Sequence, residues 1–149
     1  MMDHEHFFKM QRHKHDQDIF HTLLREHEKI HREVTSLPNG IRTITTSEDP
    51  VIVSLLHDHV PAMHKRLQEN IGLRFWDPAF VEIFAQREAI DMTVTLLTNG
   101  VQVEELSSDD NVVALIHAHG EAVSAFTREG FTASQRPSPL PVEYRFFKK

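Results

Sequence analysis

Cysteine is absent from the 149-residue chain. That removes disulfides, thiolate metal sites, iron–sulfur ligation and thiol catalysis together. Glycine is scarce, at five residues, and no Gly-rich phosphate loop can be built from them. Gly-x-Ser-x-Gly and His-Glu-x-x-His are also missing, so neither a hydrolase nucleophile elbow nor a zincin helix is present. No apolar run reaches the ~20 residues of a membrane span. The opening Met1-Met2-Asp3-His4-Glu5-His6 has no apolar core like that of a signal peptide. The expected location is cytoplasmic, or periplasmic if a leader was removed. Clustered Lys and Arg are lacking and the formal charge is −6, which argues against a nucleic-acid footprint.

What the chain has in quantity is histidine, twelve in all. Seven fall in the first 31 residues (His4, His6, His13, His15, His21, His27, His31), in a stretch that reads either as a solvated polar tail or as a loose metal-gathering tract. The remainder are His57, His59, His64, His117 and His119. Apolar residues make up 40%, enough for a real core in one domain or two fused halves.

Residues 1–15 read as a His-rich tail. From Asp16 to about Lys29, Phe20, Leu23, Leu24, His27 and Ile30 follow helical spacing. Two β-branched runs, Ile30 to Leu37 and Ile41 to Ser47, flank Pro38-Asn39-Gly40, where Asn-Gly favours a two-residue type I′ turn. Ser47 to Pro50 caps a second helix. Its apolar stripe is Ile52, Leu55, Leu56, His59, Val60, Met63 and Leu67, with a bend expected at Pro61 and an end before Gly72. After Trp76-Asp77-Pro78 the same order returns: a short helix, strands about Thr98-Asn99-Gly100, and a Ser/Asp-capped helix closed by Gly130. Three prolines then lead into an aromatic C-terminal tail from residue 132 that packs back on the body or on a partner.

This return is a duplication. Shifted by 60, residues 20–67 align with 80–127 without a gap, and fifteen of 48 positions are identical. Phe20/Phe80, Asn39/Asn99, Gly40/Gly100, Asp49/Asp109, His57/His117 and His59/His119 all coincide. Residues 16–131 therefore form one domain of two repeats, about 16–71 and 76–131. The expected class is α+β, (α-β-β-α) twice, with a four-stranded antiparallel sheet and helices mainly on one face. An exposed hairpin edge and the aromatic tail suit pairing into a homo-oligomer.

The Asn-Gly hairpins, the capped helix with His59, Val60 and Met63, and the Trp76-Asp77-Pro78 junction resemble small bacterial proteins with a duplicated helix–hairpin–helix unit. The resemblance covers residues 20–130 and implies no activity. The strand and helix order is similar to that of the tunnelling-fold enzymes of pterin and purine metabolism. Their metal-binding histidines sit on strands, whereas these sit on helices, so their activity is not carried over.

Three histidines, His27, His59 and His119, lie on apolar stripes. Neutral imidazole is a ligand for zinc, copper, nickel and iron. His59 and His119 are equivalent by the repeat. With His27 they would make a three-histidine site with an open position, and Met63, one turn after His59, offers a thioether. A His/His or His/Met pair would also hold haem iron, with Arg74, Arg87 and Trp76 beside the cofactor. The expected function is thus a His-lined binding protein for a transition metal or haem. The alternatives are an enzyme using these histidines as acid–base groups, and a structural or pH-sensing module whose histidines fill space and hydrogen-bond. His57 and His117, two residues away on the helix, are expected to face solvent or a partner.

Overall fold

The computed structural model describes residues 4–69, 74 and 76–148. Helix α1 (His4–Arg25) leads through a 3-10 turn into strands β1 (His31–Leu37) and β2 (Gly40–Thr46), then helix α2 (Pro50–Glu69). The second half repeats the order as α3 (Pro78–Ala85), a 3-10 turn, β3 (Asp91–Leu97), β4 (Gly100–Leu106) and α4 (Asp110–Glu129), with a short α5 (Phe131–Ser134) after it. Both strands, the 3-10 turn and the long helix recur 60 residues on with unchanged bounds. The α+β class and the four-stranded antiparallel sheet expected from the repeat are what the chain forms.

The sheet order is β1-β2-β4-β3, so the halves meet through their inner strands. In that central pair Thr43 faces Val103, its own counterpart under the 60-residue shift. A pseudo-two-fold axis passes there. The ends are reciprocal too: Gly40 faces Leu106 and Thr46 faces Gly100. Ser47 N donates to Asn99 O at 3.0 Å and Ser107 N to Asn39 O at 2.9 Å. Each helix start is capped alike. Asp49 Oδ1 accepts from Val51 N, and Asp109 Oδ1 from Asn111 N, both at 2.9 Å.

Several boundaries differ from the sequence expectation. α1 reaches back to His4, so residues 4–15 continue the helix expected from Asp16. α2 runs on through Pro61; the expected stop at Gly72 lies outside the described residues. The two-residue turns are Pro38-Asn39 and Thr98-Asn99 rather than Asn-Gly, because Gly40 pairs with Leu37 and Gly100 with Leu97 inside the strands. The glycines serve the sheet, not the turn. A Cβ on Gly40 would overlap the Glu105 carbonyl oxygen and lie 2.9 Å from its carbon; on Gly100 it would overlap the Thr45 carbonyl in the same way.

Alternation along β2 and β4 buries Ile41, Thr43, Thr45, Val101 and Val103 on one face. The helices cover that face crosswise. α2 packs on the second hairpin and α4 on the first. His57 shows why: its Nε2–H points at Leu97 O and Gly100 O, 2.8 and 2.9 Å away, at the turn of the other repeat. The expectation that His57 faces solvent or a partner is corrected, since it is half-buried and docks α2. From α4, Gly120 lets Ile41 approach its backbone. Gly120 O and Ser124 Oγ accept from Arg32 of β1, at 3.3 and 3.0 Å. Each long helix therefore covers mainly the other repeat's hairpin, and the core depends on both.

The C-terminal segment packs back on the second repeat. Asp77, fully buried, accepts from Ser138 N and Oγ at 2.8 Å each and from Arg74 Nη2 at 2.7 Å. Glu82 accepts from Tyr144 Oη at 2.8 Å and Phe147 N at 2.9 Å. Burial, with Glu82 alongside, pushes the Tyr144 hydroxyl up to about 12.

Candidate functional site

α1 lies antiparallel along α2, and three α1 residues one turn apart, Arg12, Asp16 and Phe20, each meet a partner on α2. Arg12 pairs with Glu69 at 2.9 Å. Asp16 Oδ2 accepts from buried Arg66 Nε at 2.7 Å. Phe20 stacks on His59, centroids 5.8 Å apart and planes 13° from parallel. Across the pseudo-axis, Phe80 meets His119 edge-on at 4.8 Å. Phe126 links the two sides, touching Phe20 at 5.7 Å and Phe80 at 6.1 Å. The two imidazoles thus end a continuous row of five rings whose middle is three phenylalanines.

Both imidazoles carry an unusual feature. Nδ1 of His59 and Nδ1 of His119 are sealed from solvent and have no hydrogen-bond partner among the described residues. For His119 the nearest acid, Glu105 Oε2, is 3.8 Å away, beyond hydrogen-bond reach. Burial pushes His59 down to about 4, against the pull of Asp16 and Asp58. Burial also lowers His119, against Glu105 and Asp77. Both rings are therefore neutral at pH 7, the form that can ligate a metal. An unpaired buried polar atom costs about 1–3 kcal/mol, and here the cost occurs twice.

The other residues expected at the site are held elsewhere. His27 Nδ1 lies 2.8 Å from Thr127 O at the end of α4, and its ring packs against Gly130. This is a helix-terminus contact between the repeats. Arg74 is engaged by Asp77, by Ser134 O at 2.8 Å and by Arg136 O at 3.2 Å, with its guanidinium 4.3 Å from the ring of exposed Trp76, 5.1 Å from Phe80 and 5.0 Å from Phe126. Arg87 Nη1 donates to Phe84 O at 3.0 Å. Met63 is half-buried on α2. A bis-axial haem does not fit between His59 and His119, because the phenylalanine row fills that path.

Among the described residues, one set of three His, Asp or Glu side chains brings a ligand atom of each within 4.8 Å of the others: His15, Asp16 and Asp58. His27, His59 and His119 do not converge as a triad. The convergent set sits beside His59 at the α1–α2 seam. Sequence reading missed it because His15 fell in the expected tail, Asp16 stood only as the start of the expected helix, and Asp58 was not singled out. A signal was available in the repeat. Under the 60-residue shift His15 becomes Phe75, Asp16 becomes Trp76, Asp58 becomes Ala118 and Arg66 becomes Phe126. All four polar groups are confined to one half.

Comparison with protein-family models, curated proteins and solved structures found no match for this chain.

Proposed function

We propose that this is a metal-binding protein in which neutral imidazole donates to a first-row transition metal ion. The observation that carries the reading is that His15, Asp16 and Asp58 each bring a ligand atom within 4.8 Å of the other two, with the sealed, unpartnered Nδ1 of His59 on the next residue. Buried polar groups without partners are rare in native proteins and call for an explanation, such as a bound ion. With no cysteine the chain offers no thiolate, and imidazole nitrogen with carboxylate oxygen suits zinc, copper, nickel or iron(II). Haem is not part of the proposal, for the packing reason given above.

The test uses the untagged full chain with His4, His6 and His13 changed to Ala, which removes three N-terminal imidazoles that would compete for the ion. Zn²⁺, Cu²⁺ and Ni²⁺ are titrated by calorimetry, and the protein as isolated is assayed for bound metal. Micromolar or tighter binding of at least one ion is expected, with a higher melting temperature in its presence. No binding of any of the three, and no metal in the isolated protein, overturns the reading.

A further inference from the structure

We propose that His15, Asp16 and Asp58 are the seat of that ion, a divalent first-row metal bound once per chain at the open side of the α1–α2 seam. This inference rests on the metal-binding reading and names its site. One donor atom from each of the three residues already lies within 4.8 Å of the other two. His15 Nε2 and Asp58 Oδ2 are 3.1 Å apart. Their side chains are 60% and 45% exposed, so an ion enters directly from solvent. Asp16, 3% exposed, forms the buried floor.

The floor is fixed before any ion arrives. Arg66 Nε, itself buried, holds Asp16 Oδ2 at 2.7 Å. A carboxylate offers about four lone-pair positions, so one guanidinium bond leaves Asp16 able to ligate. Outer contacts of this kind orient ligands in metal sites.

Two further observations point to a ligand here. His59, the next residue after Asp58, keeps a sealed, unpartnered Nδ1. His59 lies outside the convergent set, and it adds a second imidazole beside it. The other observation is the asymmetry of the duplication. On the repeated long helices, Asp58 and Arg66 of α2 are matched by Ala118 and Phe126 of α4. α3 begins only at Pro78, so the second repeat has no helical counterpart to the part of α1 that carries His15 and Asp16. Three protein ligands also leave coordination positions open, so the ion remains accessible to a small ligand.

Co²⁺ is the probe, read by its visible d–d absorption, with Zn²⁺ as competitor, on the same untagged full chain. One equivalent of Co²⁺ is expected, displaced by Zn²⁺. His15→Ala and Asp58→Ala should each weaken binding at least tenfold, while His117→Ala changes it less than twofold. Both ligand variants alter exposed side chains, and an unchanged circular dichroism melt verifies the fold. If Co²⁺ binds and both variants bind it as tightly as the parent, the seat is wrong while metal binding stands. Two equivalents abolished together by His59→Ala and His119→Ala would likewise move the seat to the buried pair. If neither Co²⁺ nor Zn²⁺ binds at all, seat and function fall together.

Discussion

Replacing Gly40 or Gly100 with alanine probes the junction on which the whole molecule depends. A Cβ at Gly40 would lie 2.9 Å from the Glu105 carbonyl carbon and 3.0 Å from Leu106 Cα; at Gly100 it would lie 2.8 Å from both the Thr45 carbonyl carbon and Thr46 Cα. Comfortable carbon–carbon separation is about 3.5–4.0 Å, so each methyl is roughly 0.6 Å or more too close to these carbons, and it overlaps the carbonyl oxygen outright. The obstacle is strand backbone, which cannot rotate away as a side chain would. Overpacking a core costs about 1–3 kcal/mol where side chains can adjust. Here β2 and β4 must separate along a seven-residue ladder, so the cost should lie at or above the top of that range, about 3–4 kcal/mol. For a chain of this size 1 kcal/mol moves the melting temperature by about 2–4 °C. Each single variant should therefore melt about 6–16 °C below the parent, and the two should agree because the positions are pseudo-equivalent. The double variant should lose about 6–8 kcal/mol, enough to unfold a chain in the lower part of the usual stability range of about 5–15 kcal/mol. Thermal and urea melts followed by circular dichroism decide it. Melting within 2 °C of the parent for both singles would refute the close β2–β4 pairing.

Other consequences follow from the same contacts. Asp77→Ala leaves Arg74 and both Ser138 donors without their acceptor. It should cost about 3–5 kcal/mol and expose the segment after Arg136 to limited proteolysis; an unchanged digestion pattern would refute the clasp. His119 has a lowered pKa, so the unfolded chain takes up a proton that the native ring refuses. Stability from this group is complete above the ordinary histidine value of about 6.5 and falls as the pH drops below it. His119→Phe should flatten the acid side of the stability profile, and an equally steep profile in the variant would exclude the imidazole as its source. Residues 1–71 expressed alone lose the hairpin that α2 covers. That fragment should be unfolded at low concentration, or dimeric through β2; a stable folded monomer by sedimentation and circular dichroism would contradict crosswise packing.

Local patterns in the chain were legible wherever the physics is local. The ungapped 60-residue duplication, the Ser/Asp caps, the stripes of α2 and α4, and the hairpins followed from periodicity and turn chemistry. Gly40 and Gly100 were read with the right identity but the wrong reason. Asn-Gly is a turn signal within one hairpin, whereas the need for glycine comes from a strand 60 residues away. The N-terminal extent of α1 was missed for a related cause. Its polar, His-rich sequence has a weak apolar stripe, and the helix is stabilised by Asp16–Arg66 and Arg12–Glu69 across the seam, partners that no local window contains.

The histidines divide along the same line. Sequence alone determined that His59 and His119 are equivalent positions on the apolar stripes of α2 and α4, because helical spacing and an ungapped 60-residue repeat place them there. Only the tertiary structure decided what each one meets. It put three phenylalanines between them, sent His27 to the end of α4 and turned His57 toward the far hairpin. It also drew His15, Asp16 and Asp58 together from two helices. The reason is that helix-to-helix register depends on how whole faces pack, which is set by contacts between residues far apart in the chain.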